Sequence, residues 1–289
     1  MVFEILHTTD YRYSAKASEA YIETRLTPPL LSNQNVLDHR IEFSPEAPTS
    51  SYVDYFGNKV HFYSMTLRHE RLTISNHLRV ETRPAVLPAD ALGVPLAEAR
   101  QILNSTLTDV FDYLHTTEAI PTGGNAKPWV KRWLKNGTSL GRCLEDLNRQ
   151  VYSHFEYVPG SPDNATPLAT VWRQRKGVCQ DFAHVMLSVL RTGGIPARYV
   201  CGYIESAPTP SSSGKSLVGS LATHAWVEVL VPGMQWVGID PTNNCWCGDQ
   251  HVTVSYGRDF RDAAPVRGTF KTSGAQSLKA KVFVKRVSS

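Results

Sequence analysis

The 289-residue chain has few features of a membrane, secreted or nucleic-acid-binding protein. No apolar run approaches the roughly 18 residues of a transmembrane helix, so we expect no membrane partner. The first residues contain Glu4 and lack a basic segment followed by an apolar stretch. We therefore expect no signal peptide and a cytoplasmic location. The net charge of +4 is mild and dispersed, which argues against a nucleic-acid partner.

Cysteine is also scarce, and its number is odd. The chain has five cysteines, which are Cys143, Cys179, Cys201, Cys245 and Cys247. A disulfide framework needs paired and closely spaced cysteines, so these thiols are expected to be reduced. An isolated thiol is then either a small buried apolar group or a nucleophile.

The composition is that of a globular chain with a substantial core, since 42% of its residues are hydrophobic and 19% charged. Residues 1–85 contain short alternating runs separated by turn signals, which predicts an N-terminal β-rich, sandwich-like domain. Residues 86–289 start with helical periodicity and continue into apolar strand-like runs. Their tail, Leu278–Val287, alternates and is predicted as a last strand. The fold class predicted is therefore α+β.

Cys179 is predicted to begin a helix. Gly177 precedes it by two residues, and apolar residues follow at helical spacing until Gly193-Gly194. The free N–H groups and positive dipole end of a helix start favour a thiolate and can stabilise an oxyanion. Taken alone, however, such a cysteine is more simply interpreted as a buried structural residue.

His224 and Asp240 are informative as a pair, because they lie on two runs that are predicted to form a hairpin. His224 precedes the apolar run Ala225–Val231, and Asp240 ends the run that follows the turn Val231–Met234. A hairpin loop of odd length places both side chains on one face of the sheet, whereas an even loop separates them unless a bulge intervenes. With that condition met, Asp240 can orient His224 towards Cys179, which gives a nucleophile, a base and an orienting acid.

Several stretches resemble the transglutaminase-like superfamily. The matching segments are Arg175–His184, Gly194–Tyr203, His224–Glu228 and Trp236–Asn243, and the bacterial branch is resembled further by Tyr11–Tyr13, Arg25–Pro28, Asp54–Asn58 and Gly257–Gly268. The resemblance covers nearly the whole chain. It implies a papain-like core, a helix-borne cysteine packed on an antiparallel sheet, with Cys179 as nucleophile, His224 as base and Asp240 as orienting acid.

The implied chemistry is thiol attack on a peptide or protein amide through a Cys179 thioester, as in a cysteine peptidase or amidase. A transamidating cross-linker and a catalytically idle peptide-binding module are the alternatives. Cys245, Cys247 and His251 form a C-x-C-x3-H pattern without an evident fourth ligand, so neither a metal nor another cofactor is predicted. The polar loop Glu205–Ala222 precedes His224 and is a hypothetical lid. The sequence does not indicate an oligomeric state.

Overall fold

The computed structural model describes residues 1–105, 107–159, 166–205, 217–219 and 222–287. The N-terminal part forms strands with turns between them. These are β1 (Val2–Ala17), β2 (Glu19–Thr27), β3 (Gln34–Ser44), β4 (Thr49–Val53), β5 (Lys59–Met65) and β6 (His69–Thr82).

Helices dominate the middle of the chain. They are α1 (Ala89–Gly93), α2 (Leu96–Asn104), α3 (Leu107–Val110) with a 3-10 turn at Phe111–Tyr113, α4 (Ala126–Trp133), α5 (Leu140–His154), α6 (Leu168–Gln174) and α7 (Cys179–Thr192). Two short parallel strands, β7 (Glu156–Tyr157) and β8 (Lys176–Gly177), lie between these helices in sequence and bring Tyr157 beside the start of α7.

Strands return in the last third. They are β9 (Ala197–Ile204), β10 (His224–Val231), β11 (Gln235–Asp240), β12 (Cys245–Trp246), β13 (His251–Gly257), β14 (Val266–Lys271) and β15 (Gln276–Val287), with the short helix α8 (Phe260–Ala263) after β13.

A β-sandwich is built from both ends of the chain. One sheet has the order β15-β1-β6-β3 and the other the order β14-β2-β5-β4. Strand β1 alternates as a half-buried strand should, with Ile5 and Tyr11 buried and Glu4 and Arg12 exposed. The tail prediction is confirmed as a strand, and its partner is β1 at the opposite end of the chain. The chain therefore leaves the sandwich after β6 and returns to it with β14.

Next to the sandwich lies a separate five-stranded antiparallel sheet of order β12-β11-β10-β9-β13. Helix α7 covers one of its faces. Every residue of β10 is buried because both of its faces are covered. Ala225 and Val227 pack in one cluster with α7, whereas Trp226 packs with Val200 and Tyr256 in another. The mixture of helices and antiparallel sheet confirms the predicted fold class and the papain-like core.

The sandwich docks on β13 through two polar side chains as well as through apolar contacts. Gln34 accepts from the Thr253 N–H at 2.8 Å and donates to the Thr253 carbonyl at 2.9 Å. Asn58 does the same with Tyr256, at 2.8 Å in both directions. Each side-chain amide thus imitates a neighbouring strand, which satisfies backbone groups that would otherwise be costly to bury.

No helix among the described residues is long and apolar enough to cross a membrane. The cytoplasmic location remains a prediction. Most of the loop Glu205–Ala222, namely 206–216 and 220–221, lies outside the described residues.

Candidate active site

Cys179 is the first residue of α7, as predicted, and its thiol is buried with 9% of the residue exposed. Asp181 caps this helix start, because its Oδ2 accepts the Val178 N–H at 2.9 Å. A Cβ at Gly177 would lie 2.5 Å from that same oxygen, so glycine is required for this close approach. Burial raises the pKa of Asp181, and the Val178 N–H partly offsets that effect.

The hairpin that carries His224 and Asp240 meets the parity condition. Val231 pairs with Gln235, so three residues, 232–234, form the loop. The same register extended by one residue places Asp240 opposite Trp226, two residues from His224 and on the same face. The prediction of an odd loop is confirmed.

The His224 ring uses its two nitrogens differently. Its Nε2 lies 2.8 Å from Asp240 Oδ2, and both side chains are fully buried. Among the described residues none makes a well-aligned hydrogen bond to Nδ1, yet Cys179 is close enough to influence the protonation of the ring. Loose nucleophile–base contacts of this kind are common in sites without substrate.

The electrostatics favour a charged His224. Burial lowers the pKa of the imidazole, but the Asp240 carboxylate and Cys179 outweigh it and raise the pKa to about 10. Burial also opposes the charge on Asp240, and the neighbouring His224 and His251 nevertheless hold its pKa well below the usual range. At neutral pH the pair therefore consists of an imidazolium and a carboxylate.

Sequence reasoning missed two side chains, those of Asn243 and His251, that contact Asp240. Asn243 donates from Nδ2 to Asp240 Oδ2 at 2.7 Å, and the Thr242 and Asn243 N–H groups donate to Oδ1 at 2.8 and 3.2 Å. His251 Nε2 lies 3.3 Å from Asp240 Oδ2. The spacing Asp-x-x-Asn is a signal for the first contact, since a carboxylate before a turn often binds N–H groups two and three residues later.

In the folded structure two residues of the C-x-C-x3-H pattern, Cys245 and His251, lie beside Asp240. Ligand atoms of Asp240, Cys245 and His251 lie within 4.8 Å of one another, so these three could contact one metal ion. Asp240 Oδ2 already accepts hydrogen bonds from His224 and Asn243. A metal at this position would compete with His224 for that oxygen, which makes the group a poor resident metal centre.

Cys179 and His224 open into a cavity of about 810 Å³ between the sheet and the sandwich. Tyr157 and Tyr199 line it from the core, and the segment 217–219 lines it from the loop before His224. Asn243 fixes that segment, since Val218 donates its N–H to Asn243 Oδ1 at 2.7 Å. The volume lies within the range of roughly 300–1,000 Å³ found for small-ligand pockets.

A helix-borne cysteine facing a histidine–aspartate pair on an antiparallel sheet defines a papain-like protein. A candidate cysteine protease from Cytophaga hutchinsonii has the same fold, with a TM-score of 0.78 and 21% identity over 100% of this chain and 91% of that chain. Residues 125–241 match the transglutaminase-like superfamily, and residues 3–81 match the bacterial transglutaminase-like N-terminal region. The chain belongs to the transglutaminase-like superfamily and carries the N-terminal region of its bacterial members.

One curated relative matches the chain over nearly its full length, and another matches a short part of it. An uncharacterised protein of Mycobacterium leprae is 32% identical over 284 residues, which is 98% of either chain. A protein-glutamine gamma-glutamyltransferase of Pseudomonas aeruginosa is 43% identical over 68 residues, covering 24% of this chain and 10% of that protein.

Proposed function

We propose that the chain is a thiol-dependent amide-bond hydrolase or acyl transferase that works through a thioester on Cys179. The observation that supports this most is the position of His224, whose Nε2 contacts Asp240 at 2.8 Å and whose pKa is raised by both Asp240 and Cys179. A base held by an acid on one side and free towards a thiol on the other fits nucleophilic catalysis.

In the proposed reaction the Cys179 thiolate attacks the amide carbonyl carbon. The backbone N–H of Cys179, at the N-terminal end of α7, and one further donor stabilise the oxyanion. The imidazolium of His224 gives its proton to the departing amine as the C–N bond breaks, which leaves a thioester. Neutral His224 then accepts a proton from water, whose oxygen attacks the thioester and releases the carboxylic acid and the thiolate.

Hydrolysis with a peptide or protein amide as substrate is the principal proposal. Transfer to an amine is the second candidate, favoured by the short, 43% identical match to a gamma-glutamyltransferase. Both share the thioester and differ only in the acceptor. An idle binding module would keep the fold and the cavity without forming that intermediate.

Alkylation of the thiol tests the shared step. At pH 7 iodoacetamide should label Cys179 at least tenfold faster than free cysteine, and His224→Ala should remove that excess because the thiolate loses its cationic partner. Peptide mapping identifies the labelled residue, and Cys179→Ser is the control. Equal rates in the parent protein and His224→Ala would support the idle module. Ammonia release compared with amine incorporation on a glutamine peptide then separates hydrolysis from transfer.

A further inference from the structure

The cavity wall opposite Cys179 is not made by the five-stranded sheet β12-β11-β10-β9-β13, which carries His224 and Asp240 and which we call the catalytic sheet. It is made by β1 and β15 of the sandwich, which contribute His7, Thr9, Tyr11, Leu278 and Ala280. The two ends of the chain therefore meet at the same cavity that Cys179 opens into.

The inward face of β1 changes character along this wall. Phe3 and Ile5 belong to the apolar cluster that joins the sandwich to the catalytic sheet, and Tyr11 and Tyr13 belong to the sandwich core. A strand alternates, so the residues between these pairs on the same face are 7 and 9. The cavity therefore lies at the junction between two separately packed cores.

The inward face of β15 shows the same gap. Val284 and Val282 are buried at 5% and 4% exposure, whereas Leu278, on the same face, is 52% exposed. Thr9 pairs with Ala280, and Tyr11 pairs with Leu278, so these side chains share one surface. Leu278 therefore presents an uncovered apolar side chain to the cavity.

Charge is lacking on the lining. None of the described residues that line the cavity is Asp, Glu, Lys or Arg. Burial lowers the pKa of His7 to about 4, so its ring is neutral at pH 7. The pKa of Tyr11 and that of Tyr157 are both raised to about 12, again chiefly by burial. A charged substrate group buried here would find no counter-charge among the described lining residues apart from the reacting pair, and such burial is costly.

Polar contacts on the wall are few. His7 Nδ1 lies 3.0 Å from the Tyr203 hydroxyl, and His7 Nε2 lies 3.3 Å from Thr9 Oγ1. A hydroxyl can both donate and accept, so Thr9 can bind a substrate amide while it contacts His7. Both ring nitrogens of His7 are already engaged within the protein.

We propose that the β1–β15 face formed by His7, Thr9, Leu278 and Ala280 is the specificity wall of the active site and selects substrates whose group beside the reacting amide is apolar and uncharged. This inference rests on the proposed function. It gives the sandwich a role in substrate choice that is separate from its packing on β13.

Substituted iodoacetamides test the wall without knowledge of the natural substrate. Three probes are compared at pH 7: N-hexyl, N-(5-trimethylammoniopentyl) and N-(5-carboxypentyl) iodoacetamide, each rate being divided by its rate with glutathione. The N-hexyl probe should label Cys179 roughly tenfold faster than either charged probe, because its chain is buried without an ion.

Leu278→Asp should lower the rate at which the N-hexyl probe labels Cys179. It should raise the rate for the trimethylammonium probe by at least about fivefold, since a carboxylate then faces the cavity. Ser277→Asp is the matched control, because it adds the same charge to the same strand at the neighbouring position, which points to the other face. Unsubstituted iodoacetamide should label Ser277→Asp at the parent rate, which verifies an intact site in the control. Each probe rate of Leu278→Asp is divided by that variant's own rate with unsubstituted iodoacetamide, so that a general change at Cys179 is removed from the comparison.

The outcomes separate the two proposals. Fast labelling by all three probes at equal normalised rates would leave the proposed function standing and overturn the specificity wall. An equal response of Leu278→Asp and Ser277→Asp would also overturn it. Uniformly slow labelling, no faster than that of free cysteine, would overturn the proposed function and the wall with it.

Discussion

His251 and His224 contact the same oxygen of Asp240, at 3.3 and 2.8 Å respectively. The Gly248 N–H donates to His251 Nδ1 at 3.3 Å, which places the proton of a neutral His251 ring on Nε2, where it can donate to Asp240. Trp226 fixes the ring edge-on, with centroids 5.3 Å apart. His251 therefore restrains the Asp240 carboxylate that contacts His224.

The first prediction concerns this second histidine. His251→Leu removes a donor from a buried carboxylate, and we expect kcat/KM for an amide substrate to fall roughly tenfold, because a lost hydrogen bond to a charged group costs about 1.5–3 kcal/mol. His251→Gln keeps an N–H donor and should recover most of the activity.

The alkaline limb of the pH profile distinguishes positioning from a general loss of structure. In His251→Leu the Asp240 carboxylate is less restrained. The pH at which kcat/KM declines on the alkaline side, which we assign to deprotonation of His224, should therefore differ from that of the parent protein. Equal activity losses in both variants with unchanged pH profiles would assign His251 a packing role only.

The second prediction concerns Asn243. Its amide donates to Asp240 Oδ2 at 2.7 Å and to the Val218 carbonyl at 3.3 Å, so it links the acid to the segment beside the cavity. Asn243→Asp replaces both donors with a carboxylate next to a carboxylate. We expect kcat to fall by roughly 10- to 100-fold, since the substitution repels Asp240 and loses the hydrogen bond to the Val218 carbonyl.

Asn244→Asp is the matched control for that variant. It adds the same charge one position later, where the side chain lies 3.5 Å from Asn148 and not against Asp240. Steady-state kinetics on one amide substrate compare the two. A similar loss of kcat in both variants would mean that added negative charge in this turn, and not the lost contacts of Asn243, reduces activity.

The three proposed catalytic residues could be found from sequence because each signal is local. A helix start, a strand start and a strand end are visible in short windows. The relation between two of them was predicted only on the condition of an odd loop or a bulge at 231–234, and the structure shows a three-residue loop. His251 was associated with the nearby cysteines instead, because its partner Asp240 becomes adjacent only when β11 and β13 are brought together in the folded sheet. Contacts of this kind carry no periodicity that a sequence window can show.

The sandwich shows the same limit. Strands β1 and β6 were predicted from alternation, whereas β4 is fully exposed and has no apolar face to signal it. The tail strand was predicted, but pairing between β15 and β1 joins the two ends of the chain and has no local signature. The division of the chain near residue 85 stays a prediction, to which the structure adds that β14 and β15 complete the sandwich.

Gly202 gives a stability prediction. It pairs with His224 across β9 and β10, and a Cβ there would lie 2.2 Å from the Val252 carbonyl oxygen and 2.3 Å from the Trp226 ring. Gly202→Ala should lower the free energy of unfolding by about 3 kcal/mol, because neither a paired carbonyl nor a buried indole can yield freely.

Gly93→Ala is the control, since a Cβ at that position meets nothing within 4 Å. It should change stability by less than about 1 kcal/mol. Urea unfolding of the parent and both variants provides the comparison. Equal stabilities of Gly202→Ala and Gly93→Ala would contradict the close packing of Trp226 over β9.

The raised pKa of His224 predicts an alkaline transition. The pKa is raised in the folded state from 6.5 to about 10. The stability that the protonated ring provides is therefore complete below pH 6.5 and is lost as the pH rises through about 10. Acylation should follow the same limb, because the leaving amine needs the proton of the imidazolium, so kcat/KM should decline near pH 10 and not near the pH 6.5 of a free imidazole.

Asp240→Asn tests the cause of that limb. An amide cannot supply the negative charge that offsets the burial of His224, so the alkaline limb should move well below pH 10 towards the ordinary imidazole range. Measurement of kcat/KM for one amide substrate between pH 5 and 11 gives the profile for both proteins on one scale, and urea unfolding at the same pH values follows the stability. An alkaline limb at the same pH in the parent protein and Asp240→Asn would show that a group other than the Asp240-paired histidine controls it, and would remove the main electrostatic support for His224 as the proton donor.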